Sequence, residues 1–303
     1  MRNLKAVLLA LLVTFLWSTS FIIIKWGLAD IPPLTYAGLR YFIAFLCLLP
    51  FALKRTNLEK IKSLDKRTLK KLFLLGVLFY AFTQGAQFVG LSLLPAVTVS
   101  LLLNFTPVIV AVIAIFMISE IPTGIQWLGV ILFIAGIVTY FYPVKFKSSE
   151  ITGLAVMFIG VAANALSAVL GRHINRTGKI SPLIVTVISM GVGAVILLSA
   201  GIIFQGLPPL SFINVVYLLW LAVINTAFAF VIWNLTLRSL TAMESSIING
   251  TMLIQIAVMA YILLGETITA REGAGLLVAA FGAVLVQLKL KSKRAGKKTG
   301  SAG

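Results

Sequence analysis

The sequence predicts an all-α polytopic membrane protein with ten transmembrane helices, arranged as two inverted five-helix repeats. Three observations carry that reading. The 303 residues are 60% hydrophobic and only 11% charged, with a mean hydropathy of +1.08, too apolar for a water-soluble globule of this size. The chain divides into ten apolar segments of about 20 residues, the length that crosses a bilayer core. The second half also repeats the first at a fixed spacing of 146 residues.

The repeat is clearest where 91–140 is set against 237–286 without a gap, with 12 of 50 positions identical. Unrelated segments of similar composition would share about four or five. The matches include Ala96 with Ala242, Ser100 with Ser246, Ala111 with Ala257, Glu120 with Glu266, Gly129 with Gly275 and Gly136 with Gly282. An odd number of spans per copy reverses the second copy in the bilayer. Inverted repeats of this kind build secondary transporters, whose substrate site lies between the halves.

Taken in order, the expected spans are 6–28, 34–53, 72–93, 96–118 and 123–142, then 151–171, 182–204, 212–236, 242–264 and 270–288. Span 1 follows Arg2 and Lys5 as a secretory signal would. Its apolar run is too long for one, and Trp17, Phe21 and Ile22 to Ile24 spoil a small-residue cleavage site, so it is expected to stay in place. The two-residue link Leu94-Pro95 and the link from Glu120 to Pro122 force antiparallel hairpins. Residues 1–143 and 151–290 form the two repeats, 144–150 the linker and 291–303 a basic tail.

Lys and Arg set the orientation. With the N-terminus inside, 20 of the 25 basic residues fall on the cytoplasmic side, eight of them between Lys54 and Lys71, and only Lys145, Lys147 and Arg271 on the other. Both termini are therefore expected in the cytoplasm of a multi-pass cell-membrane protein. The net charge of +17 reads as topology signal and attraction to anionic lipid, not nucleic-acid binding. The lone Cys47 excludes a disulfide within the chain. No P-loop, paired intramembrane carboxylates or His-rich cluster occurs, and no metal or cofactor is expected. His173, beside Arg172, reads as a solvated loop residue.

Uncharged polar residues inside spans are the candidates for function. Tyr80, Gln84, Gln87 and Leu91 follow spacings of four, three and four, which puts three polar groups on one stripe of span 3. Amides facing lipid would go unsatisfied, so the stripe should face protein or a wet cavity. Span 9 adds Thr251 and Gln255, span 8 Asn225 and Trp233, span 4 Asn104, and span 6 Asn164 and Ser167. Each is open to two readings, interhelical hydrogen bonding or substrate contact. Arg40 and Lys25 either snorkel to headgroups near the outer face or, for Arg40, attract a substrate carboxylate or phosphate. Glu120 and Glu266 each stand just ahead of a helix and read as N-terminal caps before proton carriers. Gly129 with Gly136, and Gly275 with Gly282, lie seven apart on one helix face, which suits close packing. Pro107 frees a carbonyl in the preceding turn, as a hinge or a static kink.

The chain resembles the drug/metabolite transporter superfamily, with two EamA-type repeats covering nearly all of it. The likeness rests on Leu16-Trp17-Ser18-Thr19-Ser20-Phe21, on Leu39-Arg40-Tyr41, on Leu94-Pro95-Ala96, and on the repeated glutamate with its two glycines. One departure is that Trp17 meets Ala163 at the repeat spacing, so this aromatic is not duplicated. The resemblance implies spans 5 and 10 at the periphery, a central cavity from spans 1, 3, 4, 6, 8 and 9, and export rather than import. It brings Trp17 and Ser18 into the substrate-binding set beside Arg40, Tyr80, Gln84, Gln87, Asn104, Asn164, Asn225, Trp233, Thr251 and Gln255.

The function read from the sequence is alternating-access transport of a small polar or amphiphilic metabolite, such as an amino acid. Its partners are that small molecule and membrane lipid, with a homodimer left open. Exchange of phosphorylated sugars or nucleotide sugars is the rival within transport. A membrane-embedded lipid-modifying enzyme is the rival outside it, and would have to use Glu244, Glu120, Glu266 or His173. No Asp or Glu stands near a span midpoint, and Glu244 falls in the first turn of span 9, so obligatory proton coupling is not expected.

Overall fold

In lipid a chain can satisfy its backbone only internally, so long apolar runs fold as helices joined by short links. The computed structural model of the protein describes residues 2–118, 123–143, 147–176, 180–236, 239–240 and 242–287, and they are helical nearly throughout. The first half contains α1 (Arg2–Gly27), α2 (Pro33–Ala52), the short basic α3 (Arg55–Lys62), α4 (Lys66–Leu93), α5 (Ala96–Leu103), α6 (Thr106–Ile118) and α7 (Gly124–Phe141). The second contains α8 (Ser148–Arg176), α9 (Pro182–Gln205), α10 (212–236), α11 (242–264) and α12 (Ala270–Gln287). Among the described residues, eight helices are long and apolar enough to cross a membrane. The fourth and eighth crossings are the shorter apolar helices Ala96–Val110 and Phe212–Phe228.

The short fourth crossing has a local cause. Pro107 stands in the first turn of α6, where a missing N–H costs nothing, and the chain breaks ahead of it at Asn104 and Phe105. The fourth span is thus two helices, not one kinked helix. In the eighth, a π-helical segment runs Trp220–Phe228, and an equally long one, Gly76–Gln84, lies inside α4. The two begin 144 residues apart, close to the repeat spacing. Each carries a threonine whose hydroxyl donates to the carbonyl five residues back: Thr83 to Leu78 at 2.9 Å and Thr226 to Leu221 at 2.8 Å.

The inversion is visible where repeat-equivalent helices touch. A Cβ added at Gly129 would stand 2.8 Å from the carbonyl oxygen of Gly282, and one at Gly136 would stand 2.6 Å from that of Gly275. Rising numbers on α7 meet falling numbers on α12, so the pair is antiparallel. Each glycine also faces the equivalent of its partner seven residues away, the exchange a two-fold axis perpendicular to both helices produces. α2 and α9, also repeat-equivalent, run antiparallel too, with Gly38 packed on Leu198 and Gly201 on Thr35. Without glycines the α7–α12 backbones could not approach so closely, and in lipid that approach is what binds helix to helix. Equivalent caps start α7 and α12: Thr123 accepts from the Gln126 N–H, and Thr269 from the Glu272 N–H at 3.3 Å.

Two sets of links lie at opposite ends of the bundle. The basic face carries the 54–71 loop. The other face carries the α1–α2, α4–α5 and α9–α10 links and the segment between α11 and α12. The basic tail 291–303, the 144–146 part of the linker and Glu120 lie outside the described residues, as does the side chain of Glu244.

Candidate functional site

A cavity of about 390 Å³ lies in the middle of the bundle, between the two halves. The expected polar residues Gln84 and Gln87 on α4, Asn104 before α6, Asn164 on α8 and Asn225 on α10 all line it, as do Trp17 and Arg40. Among the described residues neither Gln84 nor Gln87 has a side-chain hydrogen-bond partner, although Gln87 is only 9% exposed. Polar groups so placed are available to a ligand. Gln84→Ala and Gln87→Ala are therefore expected to reduce transport far more than they reduce the amount of folded protein in the membrane. Uptake by membrane vesicles, normalised to protein recovered by size exclusion, measures this, and normal transport in both variants would make the stripe mere packing.

Arg40 corrects one expectation. It does not snorkel to a headgroup: it is 5% exposed and points into the protein from α2. Its Nε donates to the Thr226 hydroxyl at 3.2 Å, and its guanidinium carbon lies 5.2 Å from the Tyr41 ring centroid and 6.0 Å from that of Phe88. Thr226 is held by its own bond to Leu221 O in the π segment, so the widened turn of α10 positions the contact. Among the described residues no carboxylate pairs with Arg40; the ion pair there, Arg55 with Glu59, is exposed on α3. Among the described residues the cavity lining carries this one cation and no Asp, Glu or His. Lys25 stays at the end of α1, away from the cavity.

Asn225 is completely buried. Its Nδ2 reaches Leu16 O and Ser20 Oγ at 2.8 Å and Thr19 Oγ1 at 3.1 Å. A backbone carbonyl can only accept, which fixes the amide orientation and leaves Oδ1 buried with no partner among the described residues. Asn164 donates to Thr106 Oγ1 at 3.0 Å and Asn104 to Ser100 O at 2.9 Å.

Five expected residues do not line the cavity. Ser18 donates to Gln255 Oε1 at 3.0 Å, while Gln255 Nε2 reaches Thr251 Oγ1 at 2.9 Å and Thr14 Oγ1 at 3.3 Å. These residues join α1 to α11 by interhelical hydrogen bonds. Tyr80 is packed edge-on between Phe79 and Tyr41, at 4.9 and 5.5 Å between ring centroids. Trp233 sits behind Trp17 at 5.2 Å, one ring removed from the space.

Other lining residues were not expected: Ser20 and Phe21 on α1, Tyr41 on α2, Phe79 on α4, Ser100 on α5, Thr106 on α6, Phe230 on α10, and Asn249, Met252 and Ile256 on α11. Ser20 and Phe21 stood inside the quoted span 1 motif, and Asn249 is a polar residue within a span. The apolar ones carry no sequence signal in a chain where apolar residues also face lipid. Gln287 at the end of α12 reaches the cavity too, and α2 supplies Arg40, so the lining is wider than the six spans implied by resemblance.

The capping glutamate behaves differently from expectation. Thr269 and Glu272 start α12, whereas Glu266 reaches across to the other half, accepting from the Ala96 N–H at 2.6 Å and the Val97 N–H at 3.3 Å. Gly265 makes this turn, with a φ of 67° that suits glycine and ends α11. His173 is exposed on the last turns of α8, not in a loop, with Nε2 3.0 Å from Lys71 Nζ.

Comparison with known proteins fits this architecture. The sequence is 28% identical over 307 residues to the uncharacterized transporter YvbV of Bacillus subtilis (strain 168), covering 97% of this chain and 96% of that one. It is 25% identical over 303 residues to a probable amino-acid metabolite efflux pump of Salmonella typhimurium (strain LT2), covering 96% and 98%. A crystal structure superposes with a TM-score of 0.63 at 15% identity, over 93% of this chain and 97% of that one, a likeness of fold alone. The profile of the EamA-like transporter family matches twice, over residues 4–142 and 151–288. The chain is thus a membrane transporter of the EamA-like family, within the drug/metabolite transporter superfamily.

Proposed function

We propose that this transporter exports a small metabolite bearing a carboxylate and an apolar side chain, such as an amino acid, by alternating access. The observation that carries the reading is Arg40, a guanidinium buried at the cavity wall with no carboxylate partner among the described residues. A charge held out of water calls for a counter-charge, and a substrate carboxylate supplies it in the bidentate geometry that guanidinium favours. Asn225 lines the cavity with an unpartnered, buried Oδ1, which would accept from a substrate ammonium once the site opens to it. Trp17, Phe21, Phe79 and Phe230, with Met252 and Ile256, offer an apolar wall for the side chain. The name of the Salmonella relative, a probable amino-acid metabolite efflux pump, agrees with this substrate class. Phosphorylated sugars remain the rival, since Arg40 would also meet a phosphate; one cation is few for a dianion. Catalysis is not proposed, because the family is one of transporters.

The excess of basic residues supports an orientation in the cell membrane with the 54–71 face and both termini on the cytoplasmic side. Asn249 and Gln287 extend the cavity toward that face, which fits loading from inside.

Proteoliposomes loaded with leucine or phenylalanine test the reading by counterflow of the labelled solute. The free amino acid should compete, whereas its methyl ester and the corresponding amine, which lack the carboxylate, should not. Equal competition by the ester would overturn it, and selective competition by a hexose phosphate would favour the rival. An imposed pH gradient of either sign should not drive accumulation. Protonophore-sensitive accumulation would point to a proton carrier outside the lining, with Glu244 the first residue to replace.

A further inference from the structure

On the face opposite the basic loop, a second cavity of about 440 Å³ is lined by Val97, Thr98, Tyr140 and Glu266. The central cavity begins one helical turn further along the same helix, at Ser100 and Leu103. The eight-residue α5 is thus a partition between the two spaces, about 12 Å long. It is set off at both ends, by Pro95 before it and by the break at Asn104 and Phe105 after it. Beside it the path is filled by fully buried Ile24, Ile31, Tyr36, Phe88 and Leu91, with Tyr36 edge-on to Phe88 at 5.3 Å. The structure is therefore closed on this face.

Among the described residues, side-chain links tie the halves together there, the Thr35 hydroxyl donating to Gly206 O at 2.9 Å among them. Gln205 Oε1 accepts from the Leu34 N–H at 2.8 Å, Asn214 Nδ2 donates to Asp30 Oδ2 at 3.0 Å, and Glu266 caps α5. Of these, only the Glu266 link holds a helix that borders both cavities among the described residues. A carboxylate on the first two N–H groups of a helix also complements the positive end of its dipole. We infer that Glu266 is a positioning residue for transport: its carboxylate latches α5 across the repeat interface, and the central cavity opens on this face when the latch releases. The inference rests on the alternating-access reading above.

Ser100→Cys in a Cys47→Ser background tests it without any knowledge of the substrate. An impermeant maleimide is applied to right-side-out and inverted membrane vesicles, so each face is probed separately. With Glu266 present, Ser100→Cys should label from the basic face and poorly from the other. Adding Glu266→Ala should raise labelling from the opposite face by about five- to tenfold, the effect of losing a charged cap, and lower it from the basic face. Glu266→Gln, which keeps one acceptor oxygen, should fall between. Unchanged labelling in folded Glu266→Ala overturns the inference. If that variant does not accumulate, unchanged labelling in Glu266→Gln overturns it equally. Altered labelling by a protein that moves no solute would instead uphold the latch and remove the transport reading.

Discussion

Arg40→Gln is expected to lower transport by roughly 100-fold, the equivalent of about 3 kcal/mol for charge-assisted hydrogen bonds to a substrate anion. Folded protein should persist, for a reason specific to this site. Removing one member of a buried ion pair strands the other charge, and that is what makes such changes destructive. Arg40 has no such partner among the described residues; its loss removes one bond to Thr226 and the contacts with Tyr41 and Phe88. Arg40→Lys should recover only part of the rate, since an ammonium keeps the charge but not the fork. Counterflow in proteoliposomes, set beside the amount of monodisperse protein, measures both quantities. A variant that folds and transports normally would assign Arg40 to packing.

The second large effect is on stability. Gly136→Val places a side chain 2.6 Å from the Gly275 carbonyl oxygen and against the Ala279 backbone N–H, where the obstacle is main chain that cannot rotate away. The helices must separate, at about 3 kcal/mol or more by the usual cost of overpacking. Gly282→Val meets the same obstacle at the Phe133 N–H and at Gly129 O, 2.7 Å from the new Cβ. The two variants should therefore lose thermal stability in detergent to a similar degree. Gly124→Val and Gly273→Val, where nothing lies within 4 Å, serve as controls. A destabilised control with an intact Gly136→Val would show that the crossing is not what holds the halves.

How far the site was legible depended on the local helix type. The stripe of Tyr80, Gln84 and Gln87 was read at α-helical spacing, and Gln84 and Gln87 do share the cavity. Tyr80 does not, because Gly76–Gln84 is π-helical: closing a hydrogen bond over five residues instead of four shifts the facing of residues four apart. Nothing in that stretch announces the change. Arg40 was ambiguous for another reason. Depth along a helix is legible, but whether a side chain turns to lipid or to protein depends on the helix beside it, here the Thr226 segment of α10. The interhelical reading of Gln255 and the cavity reading of Asn225 likewise differ only in the partner each meets. The repeat was fully legible, since the glycines that make the crossing are among the identical positions. Glu266 was seen as a cap, but its target lies 170 residues away across the interface, beyond the reach of any local rule.

The crossing of α7 and α12 also bears on how the chain can be divided. Because Gly129 meets Gly282 while Gly136 meets Gly275, each helix offers the other the same surface it receives, as the two subunits of a two-fold dimer do. The register of the halves is thus written on that surface and not in the connection between them. Two separate polypeptides, parted between Pro143 and Lys147, would each carry the pattern needed to find the other.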